Sequence, residues 1–256
     1  MSTLIEKLER ELVGKTFSSN KCGDFVVTSY KDAKNVGIRF LFTGTELVVE
    51  SSNIRKGTIK DRNYPSYQGV GIIGDKYSTY NKGKKTKEYA LWCSMLDRCY
   101  SNKLHEKYPT YKDCSVSKNF AFFTFFVEWC RKQTGFNQSD FNLDKDLLIK
   151  GNKIYSENAC CFLPKEVNIA LTKRENLRGD SPIGVKFCKF SNKFTSRICR
   201  DGKFIHLGYF DDELTAFNAY KIEKEQYLQE LAYRYKGRIS DSAYYALISY
   251  QVDVMD

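Results

Sequence analysis

Three short segments near the C-terminal end constrain the fold of this chain more than any other feature. Within residues 183–210, apolar and polar side chains alternate in three successive stretches, as they do in half-buried β-strands. The second and third stretches are joined by Asp201-Gly202, a dipeptide that favours the two-residue turn of an antiparallel hairpin. A helical pattern then runs from Asp212 to about Tyr235. The sequence therefore predicts a three-stranded antiparallel sheet with one long helix packed on it.

Alternation along these strands divides their side chains between two faces. The face predicted to pack on the helix holds Val185, Phe194, Ser196, Ile198, Ile205 and Leu207. The face predicted to be exposed and basic holds Lys186, Thr195, Arg197, Cys199 and His206, with Lys189, Lys193, Arg200 and Lys203 at its edges. A basic, polar sheet face can enter a DNA groove. Charge alone is equally compatible with an ordinary solvated sheet face.

The overall charge favours a polyanionic partner. Lys and Arg total 41 against 31 Asp and Glu, which gives a net charge of +10, and such an excess suits nucleic acid. No apolar run is long enough to span a membrane. The charged N-terminal residues do not have the pattern of a secretory signal. We therefore expect a cytoplasmic protein with no membrane partner.

The nine cysteines do not have the spacing of a metal site. They include no CxxC pair, and the chain has only two histidines, His105 and His206, which lie far apart in sequence. Buried, reduced thiols are the expectation for a cytosolic protein. The sequence therefore predicts no metal or other cofactor.

The chain before the C-terminal sheet divides into three further segments. Residues 1–64 contain an amphipathic helix (3–12) and the strand patterns DFVVTSY, NVGIRFLF and TELVVE, which predict a small β-barrel closed by residues 54–60. Within that closing stretch, Arg55, Lys56 and Lys60 are candidate DNA contacts. Residues 65–87 are predicted to be a basic linker, and its NKGKKTK stretch either follows phosphates or is a solvated tether.

Residues 88–177 are predicted to form a helical and irregular domain. The segment 87–100 and the Phe-rich segment 118–135 have helical patterns, and a shorter helix is expected after Pro164. Residues 178–256 hold the predicted sheet and its helix, with a last helix from Asp241 to Gln251. The fold class is therefore expected to be α+β.

The C-terminal segment resembles a known family of DNA-binding domains. The stretches GVKFCK, KFTSRICR, HLGYF and AFNAYK, within residues 183 to about 235, are similar to the ethylene-response-factor-type (APETALA-type) domain of plant regulators and phage endonucleases. In that family, outward-pointing strand residues contact duplex DNA. The resemblance implies DNA contacts by Lys186, Lys189, Arg197 and His206. The family often has Trp at the position of His206 and Arg at that of Cys199, which changes the expected base preference.

The middle segment resembles phage-encoded homing endonucleases of the HNH type. The resemblance rests on WCSMLDRCY, PTYKDCSV, LDKDLLIKGNKIYS and CFLPKEVN, and with the C-terminal domain it covers roughly residues 64–251. The leading segment is also similar, in NVGIRF and IRKG. Such a nuclease needs a histidine to activate water and a metal ligand beside it. Neither histidine of this chain lies in residues 142–168, where the catalytic one belongs.

One alternative catalytic group remains in that segment. Asp144, Lys145 and Asp146 are the residue types that hold magnesium and supply a lysine in other metal nucleases. A lone Asp-x-Asp is a weak signal, and a turn or a solvated edge is favoured over a metal site.

These observations predict a degenerate relative of a homing endonuclease that binds double-stranded DNA sequence-specifically and does not cut it. Such a protein is suited to act as a transcriptional repressor in a phage or phage satellite, inside a bacterial host cell. The alternative is an active, magnesium-dependent homing endonuclease. An RNA-binding or interaction protein is less favoured, because the C-terminal resemblance implies duplex DNA. A homodimer is left open.

Overall fold

The structure, a computed structural model, describes residues 6–7, 11–173 and 181–254. The chain forms two compact units, Met1–Glu128 and Trp129–Asp256, of mixed α+β content as expected. The predicted helix 3–12 lies largely outside the described residues. The predicted domain boundaries at 64, 87 and 177 stay predictions. No helix in the described part of the chain has both the length and the apolar character needed to cross a bilayer.

The first unit begins with a four-stranded antiparallel sheet in chain order. Its strands are β1 (Thr16–Ser19), β2 (Gly23–Asp32), β3 (Asn35–Phe40) and β4 (Glu46–Val49), and the last three match the predicted strands. One face is buried around Phe25, Val36 and Ile38. In hairpins with short turns, each strand pairs with its sequence neighbours, so the sheet needs no crossover.

The predicted closed barrel is wrong. Within the described residues, β1 and β4 are the two edges of the open sheet, with no pairing between them. Residues 54–60 were expected to close the barrel, but the first three of them instead form the end of a short helix, α1 (Ser51–Lys56). Gly57 ends this helix in the left-handed conformation, with φ 64°. Ile54 and Ile59 are buried in the core of the sheet, which directs the basic side chains between them to the surface.

The predicted basic linker contains a small hairpin. Strands β5 (Tyr80–Asn81) and β6 (Lys84–Lys85) pair antiparallel. Lys82 and Gly83 form the turn with φ 47° and 76°, the two positive values that a type I′ turn requires. Lys82, Lys84 and Lys85 therefore lie in the turn and the second strand of a tight hairpin.

Helices follow the hairpin in the first unit. These are α2 (Lys87–Tyr100), with the predicted bounds, and α3 (Asn102–Lys107), followed by a 3₁₀ turn (Pro109–Tyr111) and β7 (Ser115–Val116). Trp92 of α2 is fully buried against Phe123, and its indole N–H donates to the Phe120 carbonyl over 2.8 Å. Helix α4 (Phe123–Lys132) is shorter than the predicted 118–135, because residues 118–121 form a turn before it and residues 133–137 form a bend and a turn after it.

The second unit contains the irregular segment and the C-terminal sheet. The irregular segment has strands β8 (Phe141–Asp144), β9 (Ile154–Tyr155) and β10 (Cys161–Pro164), and the predicted helix after Pro164 is α5 (Lys165–Leu171). The C-terminal sheet has the antiparallel order β11 (Val185–Cys188), β12 (Lys193–Arg200), β13 (Lys203–Phe210). Helices α6 (Glu213–Arg234) and α7 (Asp241–Ile248) follow, so the predicted strands and helices are confirmed here, except that the last helix ends three residues before the predicted Gln251.

Helix α6 lies very close to one face of the C-terminal sheet. Gly184 has φ 81°, and a Cβ placed there would lie 2.1 Å from the ring of Tyr220 on α6. Ser196 and Ile198 of the central strand are buried on this face. The absence of a side chain at Gly184 therefore allows the Tyr220 ring to reach the backbone of the sheet.

Polar contacts are made by the middle and by the C-terminal end of α6. Arg234 bridges Glu166 of α5 and Asp201 of the hairpin turn, and its hydrogen bond lowers the pKa of the Asp201 carboxyl to about 2. Lys224 is buried and donates to the carbonyl of Ala170 at the end of α5. Burial lowers the pKa of Lys224 to about 8. These contacts join α6 to α5 and to the hairpin turn of the sheet.

Candidate nucleic-acid interface

The side of the C-terminal sheet that faces away from α6 is an exposed surface, here called the outward face. By strand register and alternation it consists of Lys186, Cys188, Lys193, Thr195, Arg197, Cys199, Phe204, His206 and Tyr209. Most of these side chains are exposed, whereas Val185, Ser196 and Ile198 on the opposite face are buried. The division predicted for the first two strands is therefore confirmed.

A bulge in β13 changes the pattern of the third strand. Ser196 pairs with Gly208 but Arg197 pairs with His206, so Leu207 is the extra residue. Gly208 has φ 141°, in a region that favours glycine. Because of the bulge, His206 and Tyr209 share the outward face, and their rings meet edge to face with centroids 4.8 Å apart. Ile205, predicted to pack in the core, is 41% exposed although it keeps the inward register.

Arg197 occupies the middle of the outward face, on the central strand. Its backbone N–H donates to the Gly184 carbonyl over 2.9 Å, which fixes the strand at this residue. Its guanidinium lies over the ring of Phe204, with 5.3 Å from Cζ to the ring centroid. Among the described residues no carboxylate pairs with it. An exposed arginine without a carboxylate partner is available to an external acceptor.

The turn between β11 and β12 extends the basic surface. Lys189 and the fully exposed Phe190 lie in this turn. Lys193, at the start of β12, pairs with Asp211 over 3.0 Å and keeps an exposed side chain. Thr195 donates to the carbonyl of Lys186 over 3.1 Å, which uses its hydroxyl within the sheet.

Two of the predicted edge cations are not on the outward face. Arg200 points to the helix side, where its guanidinium binds Glu223 and Glu230 of α6 and lies over the Tyr227 ring. Lys203 pairs with Arg200 in register and so has the same orientation, although the side chain is exposed beside the hairpin turn. The predicted position of Arg200 and Lys203 at the edges of the outward face was wrong. Alternation continues through residues 198–200, so the Arg200 side chain lies on the same inner side as that of Ile198.

The first unit carries two further groups of exposed cations. Arg55 and Lys56 are exposed on α1, and Lys60 is exposed shortly after it. The turn and second strand of the β5–β6 hairpin carry Lys82, Lys84 and Lys85, all exposed, with Lys85 Nζ 5.4 Å from the ring centroid of Tyr89.

The Asp144-Lys145-Asp146 group has a structural arrangement. One oxygen of Asp144 accepts the backbone N–H groups of Asp146 and Leu147, over 3.0 and 2.8 Å, which closes a turn. Lys145 is buried, and its ammonium binds Asp146 and the carbonyl of Asn152. Burial raises the pKa of the Asp144 carboxyl.

These residues do not fit a magnesium ion. A magnesium site presents free carboxylate oxygens to the ion, whereas here the ammonium of Lys145 already occupies the carboxylate of Asp146 and one oxygen of Asp144 is bound by backbone. In the described part of the chain, no three His, Cys, Asp or Glu side chains come together as a metal site would require.

Phe204 and Tyr209 were missed in the sequence. Phe204 was not assigned to a face, and strict alternation along β13 predicts Tyr209 on the other face of the sheet from His206. The signal for Tyr209 was Gly208, because a glycine inside a strand often marks a bulge.

Comparison of the chain with protein-family models, with curated proteins and with solved structures gave no match.

Proposed function

We propose that this chain is a sequence-specific double-stranded-DNA-binding protein, related to HNH-type homing endonucleases, that acts as a transcriptional repressor in a phage or phage satellite. The observation that carries the proposal is Arg197, which is exposed at the centre of a sheet face and has no carboxylate partner among the described residues. Lys186 and His206 flank it on the neighbouring strands.

The dimensions of duplex DNA support this partner. The major groove is about 12 Å wide and accepts a helix or a β-ribbon, and arginine bound to guanine is the commonest specific contact in it. Strands lie about 4.8 Å apart, so Lys186, Arg197 and His206 span a distance that such a groove admits. The cations at the turn, Lys189 and Lys193, are placed to meet phosphates while the centre meets base edges.

A repressor is favoured over a nuclease by the arrangement of the Asp-Lys-Asp group. Its carboxylates are bound by backbone N–H groups and by a buried lysine, so the group serves the turn. A protein that occupies a specific site without cutting it blocks access of polymerase or activators to that site.

We expect the hairpin lysines to contact phosphates. The variant Lys82→Gln/Lys84→Gln/Lys85→Gln should bind all duplexes more weakly, and the slope of log affinity against log salt should become shallower by about 0.9 for each phosphate that is no longer neutralised. The measurement is an anisotropy titration from low to moderate salt, on a site selected from a random duplex pool and on a scrambled duplex.

The matched control removes the same charge elsewhere in the first unit. Lys21, Lys31 and Lys34 are also exposed, and their triple Gln variant should leave the slope near that of the unchanged protein. Equal slopes for the two triple variants would show that only net charge matters and that the hairpin makes no local contact.

We expect no nicking of a supercoiled plasmid that carries the selected site, with magnesium or with manganese. The comparison includes Asp144→Asn and Asp146→Asn, since asparagine retains an oxygen that can accept the backbone hydrogen bonds at Asp144. Metal-dependent nicking by the unchanged protein that disappears in either variant would replace the repressor proposal by an active nuclease. Metal-dependent nicking that persists in both variants and co-purifies with the protein would also contradict the repressor proposal, with the catalytic group elsewhere in the chain.

A further inference from the structure

Arg197 and Phe204 form a cation–aromatic pair on the outward face. Phe204 is 68% exposed, although burying a phenylalanine side chain is worth about 1.5–3 kcal/mol. It lies on the outward face opposite Cys199 in register, and the Arg197 guanidinium lies against its ring. The pair offers an exposed apolar ring beside a cation that has no carboxylate partner among the described residues, so it can bind a ligand with both apolar and hydrogen-bond-accepting groups.

The contact also restricts the arginine. A guanidinium held against an aromatic ring loses less freedom when it binds, and the contact with the ring leaves its N–H donors available for hydrogen bonds. An arginine that bonds guanine O6 and N7 lies near the edge of that base pair. A ring packed against the same guanidinium then meets the adjoining base pair.

Only one natural base presents an apolar group to the major groove. Thymine carries its C5-methyl there, whereas cytosine and adenine present amino groups and guanine presents only acceptors. A phenyl ring set against an amino group would remove water from it without replacing its hydrogen bond, which is unfavourable.

We infer that the outward face recognises a guanine next to a thymine, with Arg197 bonding the guanine and Phe204 packing on the thymine methyl. The inference rests on the proposed function, and it adds the chemistry of the bound sequence. It assigns to Phe204 a role in specificity.

The test uses the full chain and a duplex selected from a random pool. Each thymine is replaced in turn by deoxyuridine, which lacks only the methyl, and each guanine by 7-deazaguanine, which lacks the N7 acceptor. We expect one thymine whose replacement weakens binding about fourfold, the worth of one buried methyl-sized group. The base next to this thymine should be a guanine whose replacement lowers the affinity for the duplex about tenfold.

Variants tie these bases to the two side chains. Phe204→Ala should bind the thymine and deoxyuridine duplexes equally well, and Arg197→Ala should no longer distinguish guanine from 7-deazaguanine. The control is Ile222→Ala, since Ile222 on α6 is 67% exposed and lies on the helix side of the sheet. That variant should still bind more weakly when the thymine is replaced by deoxyuridine or the guanine by 7-deazaguanine. Thermal melts should show that all three variants are folded.

The outcomes separate the inference from the proposed function. If the protein selects a sequence but no thymine is sensitive to loss of its methyl, or if Phe204→Ala keeps the full penalty, the role of Phe204 is wrong and sequence-specific binding stands. If no sequence is enriched from the pool, both proposals are wrong.

Discussion

Replacing Gly184 with alanine should destabilise the C-terminal sheet by about 3 kcal/mol or more, since two costs act together. A non-glycine residue in a left-handed conformation costs about 1–3 kcal/mol, and Gly184 has φ 81°. The added Cβ would also lie 2.1 Å from the Tyr220 ring, and overpacking of this kind costs about 1–3 kcal/mol.

The consequence should extend to the outward face. The carbonyl of Gly184 accepts the backbone N–H of Arg197, so a shift of the strand would move the central arginine. Because typical stabilities are only about 5–15 kcal/mol, urea denaturation followed by circular dichroism will detect the loss.

Gly202→Ala is the matched control for strain without a clash. Gly202 lies in the hairpin turn of the same sheet with φ 78°, and a Cβ there would meet no atom within 4 Å. We expect it to lose clearly less stability than Gly184→Ala. Equal losses in the two variants would contradict the close packing of Tyr220 on the sheet.

Local sequence signals were sufficient for most of the strands and helices. Period-two alternation predicted β12 and β13 with their observed bounds, and Asp201-Gly202 forms the expected turn, with positive φ at both residues. Helix α2 likewise has its predicted bounds. These elements were predictable because their determinants lie within a few residues in sequence.

Features that depend on distant contacts were not predictable in the same way. The first sheet does not close into a barrel, because the chain after β4 turns into α1 and buries Ile54 and Ile59 against the sheet. Alternation alone would have placed Arg200 on the inner side, but its ion pairs with Glu223 and Glu230, more than twenty residues away in sequence, were not predictable.

The candidate site was predictable in part. The outward positions of Lys186, Arg197 and His206 followed from alternation, which is a property of any strand. The outward position of Tyr209 depends on the bulge at Leu207, and the position of Phe204 beside Arg197 depends on the register between β12 and β13. Duplex DNA as the partner remains a proposal.

The central proposal is that Arg197 contacts a base, whereas Lys193 contacts the DNA backbone. Arg197 lies at mid-strand on the central strand, while Lys193 begins that strand beside Asp211. The removal of an arginine bound to guanine costs about 1–3 kcal/mol on the specific site and much less on other sequences. The removal of a lysine bound to phosphate weakens binding to all sequences alike.

The most direct measurement is a fluorescence-anisotropy titration of Arg197→Ala and Lys193→Ala on the selected duplex and on a scrambled one, at a fixed salt concentration. We expect Arg197→Ala to reduce the ratio of the two affinities by about 5- to 150-fold, and Lys193→Ala to lower both affinities together and leave the ratio unchanged. An unchanged ratio for Arg197→Ala would show that the outward face does not determine sequence specificity.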